Sequence, residues 1–299
     1  MSEARAYPSV SEGDLSRSAL VRRARLGRVV GKALAHLLLG LGAVVMVVPF
    51  LWMISTAIKP EGEVFLFPPQ WIPHPIVWSN FSDALSRFPF VNASVNSLLV
   101  SSLSALGQLF SCSLAAFAFA RHRFPGRNVI FAILMATLMI PGAVTLIPIF
   151  VIMKQLGWID TLYPLIVPSF CGGAFGTFLL RQFFMAIPGE YDDSARLDGA
   201  SSTRILWSIY LPLAKPALAT LGVFTFVASW NDFITPLIYL STPEHMTLTV
   251  GLSYFQGQYN TQWNLMMAAT LISVVPIVIL YAVAQKYFIQ GIAMTGLKG

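Results

Sequence analysis

Six long apolar stretches set the terms for this chain. They run over approximately 33–57, 93–120, 128–150, 162–183, 217–240 and 263–285. A helix needs about 20 apolar residues to cross a hydrocarbon core of ~30 Å, and each stretch supplies them. Hydrophobic residues make up 56% of the chain and charged residues only 11%, against roughly 25% charged in soluble domains. A chain with so few charges cannot cover a water-facing surface, so the bilayer is its solvent. Backbone exposed to lipid must pair its own N–H and C=O groups, which leaves helices or closed barrels. Strand-type alternation is absent from these continuous runs. The expectation is an all-α integral membrane protein with six transmembrane helices.

The net charge of +6 invites a nucleic-acid reading, but the placement of the charges argues against it. With the N-terminus taken as cytoplasmic, sixteen of the nineteen Lys and Arg residues fall on that side, in 1–32, 121–127, 181–216 and the C-terminal tail. Only Lys59, Arg87 and Lys154 lie opposite. This is the positive-inside pattern, so both termini and the 181–216 loop are expected in the cytoplasm. Arg22, Arg23, Arg25 and Arg28 then act as a topology signal at the headgroups. The first apolar run is longer than the 7–15 residues of a signal-peptide core and lacks a small-residue cleavage site. The expected organisation is a basic tail at 1–32, a first span at 33–57, an outer loop at 58–92, a five-helix core at 93–285 and a cytoplasmic tail at 286–299.

Cofactor chemistry finds little footing. Cys112 and Cys171 fall inside spans, where buried free thiols are the ordinary reading. His36, His74, His122 and His245 are scattered without ligand spacing, so no metal site is expected. The segment Gly27-Arg28-Val29-Val30-Gly31-Lys32-Ala33 superficially looks like a phosphate loop. It has three residues between the glycines instead of four, Ala33 where Ser or Thr should hold Mg²⁺, and no preceding strand. If ATP drives this protein, another subunit binds it.

The polar island from Ile187 to Pro216 is the best clue to function. Pro188 suits a first helical turn, and Glu190, Asp192 and Asp193 suit a helix N-terminus. Tyr191, Ser194, Ala195 and Asp198 share one face at helical spacing, with Ser194 and Ala195 keeping that face small. Gly199 permits a sharp reversal that a β-carbon would oppose. Ser201 or Ser202 can cap a second helix carrying Ile205, Leu206 and Ile209. Pro212 and Pro216 punctuate the entry to the next span. On these grounds the island is either a docking element or an ordinary interfacial loop.

The same residues resemble the EAA loop of ABC-transporter inner-membrane permeases of the binding-protein-dependent importer type. That pattern is Glu-Ala-Ala, three residues, Gly, and further on Leu-Pro. This chain has Asp193-Ser194-Ala195, then Gly199, with Ala200 beside it and Leu211-Pro212 downstream. Asp193 keeps the charge but is one methylene shorter than Glu, so Glu190 is expected to support it. The resemblance covers about residues 30–299. It includes Phe88-Pro89-Phe90, Ala118-Phe119-Ala120-Arg121, Trp230-Asn231-Asp232-Phe233 and the Thr295-Gly296-Leu297-Lys298-Gly299 tail, and is closest to maltose-type permeases. It implies a type I ABC importer permease fold and a coupling loop over 187–216 that enters a cleft of an ATPase through Glu190, Asp193, Ser194, Ala195, Asp198, Gly199, Ala200 and Pro212. It also implies a second permease subunit in a heterodimer, two ATPase subunits that use ATP and Mg²⁺, and a solute-binding protein outside a bacterial inner membrane. The chain itself is not expected to be an enzyme.

Other positions carry two readings each. Asp232 is the sole acidic residue placed within a span. With Trp230 and Asn231 it either marks the translocation path or caps a neighbouring helix. Gly172, Gly173 and Gly176 permit close helix packing, the favoured reading, or break the helix beside the path. The outer loop at 241–264 offers Tyr254, Gln256 and Tyr259, expected to meet the binding protein. The segment Phe67-Pro68-Pro69-Gln70-Trp71-Ile72-Pro73 cannot be regular helix and is expected to lie on the outer membrane surface. A sugar is the expected cargo, with another small solute such as glycerol phosphate as the alternative. An ion-driven secondary transporter would want several mid-membrane ionisable residues, and this chain offers one.

Overall fold

The computed structural model describes residues 12–257 and 261–296, with side chains described over 28, 30–257 and 261–286. The chain divides into a unit ending at Ser55 and a compact unit from Thr56 onward. In the first, α1 (Glu12–Ala57) is one long helix, so the tail expected to be polar through residue 32 is already helical from Glu12. Its stretch Val30–Ala57 is long and apolar enough to cross a membrane.

In the second unit the Pro-rich stretch 67–75 is non-helical, as the prolines require, and α2 (Ser79–Ser86) follows it. The central element is α3 (Phe90–Arg121). The third apolar run is not one helix. It forms α4 (Arg127–Ala136) with a 3₁₀ turn Thr137–Met139, then α5 (Gly142–Gln155), and the two parts bend by 103°. Ile140 is extended because Pro141 crowds the residue before it, and Pro141 has no N–H to carry a helix through.

The fourth run is also broken. A short α6 (Tyr163–Ile166) passes into a 3₁₀ stretch Val167–Cys171, and α7 (Ala174–Ala186) begins after Gly172 and Gly173. Three residues of α3 repair this break, Ser104 and, seven and eight positions further on, Ser111 and Cys112. Ser104 Oγ donates to the Leu165 carbonyl at 3.0 Å, Ser111 Oγ to that of Ser169 at 3.0 Å, and Cys112 Sγ to that of Gly173 at 3.5 Å. Irregular backbone at this depth survives only when its freed carbonyls find such donors.

The glycines divide their expected roles. Gly176 packs, since a β-carbon there would lie 2.7 Å from Cys112 Sγ and 3.0 Å from Leu221. Gly172 has open space around it and φ +90°, so it breaks the helix.

After α7 come α8 (Glu190–Leu197), α9 (Ser202–Ile205), a π-helical turn Leu206–Tyr210 and α10 (Leu211–Leu213). This leads into α11 (Lys215–Trp230) across an 81° bend. The fifth run therefore ends at Trp230, and α12 (Ile234–Tyr239) is separate from it. A short α13 (Leu248–Leu252) precedes α14 (Trp263–Gly296), which carries the expected tail in helical form to Gly296. Among the described residues, four helices are individually able to cross a membrane, or six when each bent pair counts as one span.

α3 packs chiefly on α7 and α11. One core gathers Phe117 of α3, Leu180 and Phe184 of α7, Ile205, Leu206 and Tyr210, and Ala217 and Leu221 of α11. A second gathers Phe88, Phe90, Trp230, Leu248, Phe255, Ala268 and Ala269. The first core fixes the candidate site.

Candidate functional site

α8 starts at Glu190, so Pro188, expected inside the first turn, lies before it. The N–H groups of Asp192 and Asp193 both reach the Gly189 carbonyl, at 2.9 and 3.2 Å. Glu190, Asp192 and Asp193 occupy the first turn, complementing the positive end of the helix. The helix stops in a double-bonded reversal. Gly199 N–H donates to Arg196 O at 3.0 Å and Ala200 N–H to Ala195 O at 2.9 Å, the paired bonds of a Schellman ending. Gly199 sits at φ +79° with no atom within 4 Å of a prospective β-carbon, so the need for glycine is purely conformational. Ser201 Oγ then accepts the Arg204 N–H at 3.4 Å and caps α9. Pro212 is exposed in α10, at the approach to the 81° bend.

One polar cluster bolts α8 to the rest of the unit. Tyr210 OH donates to Asp192 Oδ1 at 2.6 Å, and Arg121 Nε lies 3.9 Å from Asp192 Oδ2. Arg121 also donates to the carbonyls of Phe184, at 2.9 Å, and Ile187 at the end of α7, the former shared with the Ile187 N–H at 3.3 Å. Its guanidinium sits 5.0 Å from the Tyr210 ring centroid. Tyr210 is fully buried, with its ring edge-on to Phe117 at 5.0 Å and to Phe184 at 5.3 Å. The end of α3, the end of α7, α8 and the π turn are thus joined through one arginine, one carboxylate and one phenol.

This changes which residues of α8 face outward. Glu190, Asp193, Ser194 and Asp198 are exposed, as expected of a contact face. Ala195 and Ala200 instead pack against the first core. Leu197, which the sequence reading passed over, is 89% exposed, and Tyr191 is 50% exposed. The outward face is therefore an apolar spot rimmed by carboxylates. The sequence places Asp192 in a first helical turn, but its pairing with Tyr210 is not legible there, because the two are 18 residues apart and no spacing rule joins them. Arg121 was visible only as the last letter of Ala118-Phe119-Ala120-Arg121.

The other candidates lie elsewhere. Trp230 is buried in the second core, stacked on Phe226 at 5.7 Å. Asn231 Nδ2 donates to Val227 O at 2.9 Å at the end of α11. Asp232 lies in the break between α11 and α12 rather than within a helix. Its Oδ1 accepts the Thr235 N–H at 3.2 Å, and its carbonyl accepts the Thr249 hydroxyl at 2.6 Å. These are the contacts of a capping residue.

Tyr254 is half-exposed and stacks on Phe88 at 6.3 Å, and Gln256 forms an isolated antiparallel bridge with Thr261. Tyr259 lies outside the described residues. A clamp that no sequence pattern signals forms at Asp160, which accepts the N–H groups of Ser241 and Thr242 at 2.8 and 2.9 Å and the Thr242 hydroxyl. These bonds, with His245 Nδ1 3.5 Å away, hold the carboxyl well below the usual carboxylate range.

The helical membrane unit, its broken spans and the short helix anchored beneath α3 define the fold of a type I ABC-importer permease. A solved permease chain from a bacterial ABC transporter that imports the acidic polysaccharide alginate has the same fold, with a TM-score of 0.75 and 26% identity, covering 94% of this chain and all of that one. The chain belongs to the family of binding-protein-dependent transport system inner membrane components, whose signature matches residues 107–294. It is 30% identical over 275 residues to the probable ABC transporter permease protein YurM of Bacillus subtilis (strain 168), covering 90% of each. It is 32% identical over 265 residues to the sn-glycerol-3-phosphate transport system permease protein UgpE of Yersinia pestis bv. Antiqua (strain Antiqua), covering 86% of this chain and 94% of that one.

Proposed function

We propose that this chain is one of two permease subunits of an ATP-driven importer for a sugar or oligosaccharide, and that α8 is where ATPase motion enters it. The observation that carries this reading is the contrast within α8. Asp192 is bolted to Arg121 and Tyr210, while Glu190, Asp193, Ser194 and Leu197 stand free of the core. An element that transmits force needs a rigid inner attachment and a free outer face, because it passes on only what its differential contacts allow. The positive-inside charge pattern favours a cytoplasmic α8 and cytoplasmic termini. ATP and Mg²⁺ then belong to two ATPase subunits that receive α8, and this chain binds neither.

On the opposite side a solute-binding protein delivers the cargo near 241–264, where Tyr254 and Gln256 are accessible. A second, non-identical permease subunit completes the pore. A hydroxyl-rich solute is favoured by the company the chain keeps, which includes permeases named for alginate and for sn-glycerol-3-phosphate. The latter keeps a phosphate-bearing polyol as the second reading. The test is purification of the intact complex, assay of ATP-dependent uptake, and a ligand screen on its binding protein. Uptake without ATP or without a co-purifying ATPase would reject the proposal, and exclusive binding of glycerol phosphate would replace the sugar reading with the second.

A further inference from the structure

Two adjoining recesses flank the turn between α3 and α4. One, of about 420 Å³, lies against α8 and mixes Asp192 and Asp193 with Arg121, Arg123, Arg127 and Arg196. The other, of about 400 Å³, lies at the foot of α4 and is lined by Arg123, Phe124, Gly126, Arg127, Asn128 and Val129. Arg123 and Arg127 line both, but no carboxylate lines the second. Arg127 is held in place by donating Nη1 to the His122 carbonyl at 3.2 Å. Arg123 is exposed, and no ion pair or hydrogen bond neutralises it among the described residues. The outcome is a concave patch carrying two positive charges, one of them held in place.

Its surroundings identify the class of occupant. The recess includes Val129, and directly above it on α4 Ile130 and Ile133 stand out, so the three are 64%, 50% and 61% exposed. Bare apolar side chains beginning at a basic recess describe the boundary between headgroup and acyl chain. Basic pockets between spans on the cytoplasmic side suit anionic headgroups, and paired guanidinium forks match phosphate oxygens. The α8 face proposed to meet the ATPase, with Asp193 and Leu197, takes no part in this second recess.

We infer that the recess formed by Arg123 and Arg127 binds the phosphate of an anionic phospholipid of the cytoplasmic leaflet. This rests on the cytoplasmic topology proposed above and extends it to a lipid that the protein holds beside the coupling element.

The test uses the intact complex purified in detergent with added phosphatidylglycerol or phosphatidylcholine, with retained lipid counted by native mass spectrometry. Wild type should retain phosphatidylglycerol over phosphatidylcholine. Arg123→Gln should weaken that retention about fivefold, and Arg123→Gln with Arg127→Gln about 25-fold, while Arg127→Lys, which keeps the charge but loses the fork, should fall between wild type and the double variant. Arg123→Gln removes a side chain with no structural partner, so a folding defect cannot account for its effect. Equal retention by wild type and the double variant would overturn the site. So would competition by millimolar inorganic phosphate, which would assign the recess to a soluble anion, or loss of the ATPase subunits with lipid retention unchanged. An impermeant thiol reagent applied to Asn128→Cys checks the side of the membrane. Labelling from outside would overturn the topology together with the site, whereas cytoplasmic labelling with equal retention would overturn the lipid site alone.

Discussion

Tyr210→Phe removes one oxygen from the anchor of α8 and nothing else. The phenyl ring keeps its contacts with Phe117 and Phe184, so the core loses no volume. What disappears is the 2.6 Å hydrogen bond to Asp192 Oδ1. Arg121 remains 3.9 Å from the other carboxylate oxygen, and the Arg121 and Asp192 side chains are only 15% and 14% exposed, so water replaces the lost donor poorly. A hydrogen bond to a charged group is worth about 1.5–3 kcal/mol net. The residual exposure and the surviving arginine place this one toward the lower end, at about 2 kcal/mol. At 1.4 kcal/mol per factor of ten, local opening of α8 should become roughly 30-fold more frequent. Hydrogen–deuterium exchange on the purified complex reads this directly. Amides 192–200 should exchange roughly 30-fold faster in Y210F, while those around Phe117 in α3 stay unchanged. Asp192→Ala removes the acceptor of the same bond, so the double variant should fall short of the sum of the two singles. Unchanged exchange over 192–200 in Y210F would refute the claim that this cluster anchors the helix.

Gly199→Ala should loosen the end of α8 by about 1–2 kcal/mol through left-handed strain alone, and Gly199→Asn by less; exchange at Gly199 and Ala200 equal to wild type would contradict the Schellman reading. A β-carbon at Gly251 would overlap the Phe88 ring, so Gly251→Ala should cost about 1–3 kcal/mol in thermal stability and recover in part with Phe88→Leu; an unaffected melting temperature would count against this packing. The Asp160 carboxyl is held below its unfolded value of about 3.9. Its contribution is therefore complete at neutral pH and fades as pH falls from about 4. Proteolysis at 239–245 should rise on acidification in wild type, and be high and insensitive to pH in Asp160→Asn. Equal protection of the two proteins at pH 7 would contradict the clamp.

The fold was legible in the sequence wherever one physical rule dominated. Long apolar runs have only one way to satisfy their backbone in lipid, and α3 and α14 run through the stretches read for them. The runs at 128–150 and 162–183 satisfied the same hydropathy rule, yet prolines and glycines broke them. Pro141 was in plain view, but hydropathy outweighed it. The repair of the second break by Ser104, Ser111 and Cys112 depends on how α3 packs, which no local pattern records. In α8 the acidic first turn and the Gly199 reversal were readable, because caps are local chemistry. Which face points inward was not, because Ala195 and Asp192 are drawn in by Tyr210 and Arg121 from distant parts of the chain. Leu197 was missed because an exposed leucine looks, in sequence, like any buried one.

We propose that the outward face of α8 carries motion from an ATPase into the pore. Burying a free leucine on docking contributes about 1.5–3 kcal/mol, so Leu197→Asp should weaken ATPase docking by roughly 10–150-fold. The direct measurement is binding-protein-stimulated ATP hydrolysis and solute uptake, taken together, in proteoliposomes carrying the Leu197→Asp complex. The expected result is a chain that still inserts but either loses its ATPase subunits or hydrolyses ATP without uptake. Stimulated hydrolysis and uptake both at wild-type levels would contradict the account.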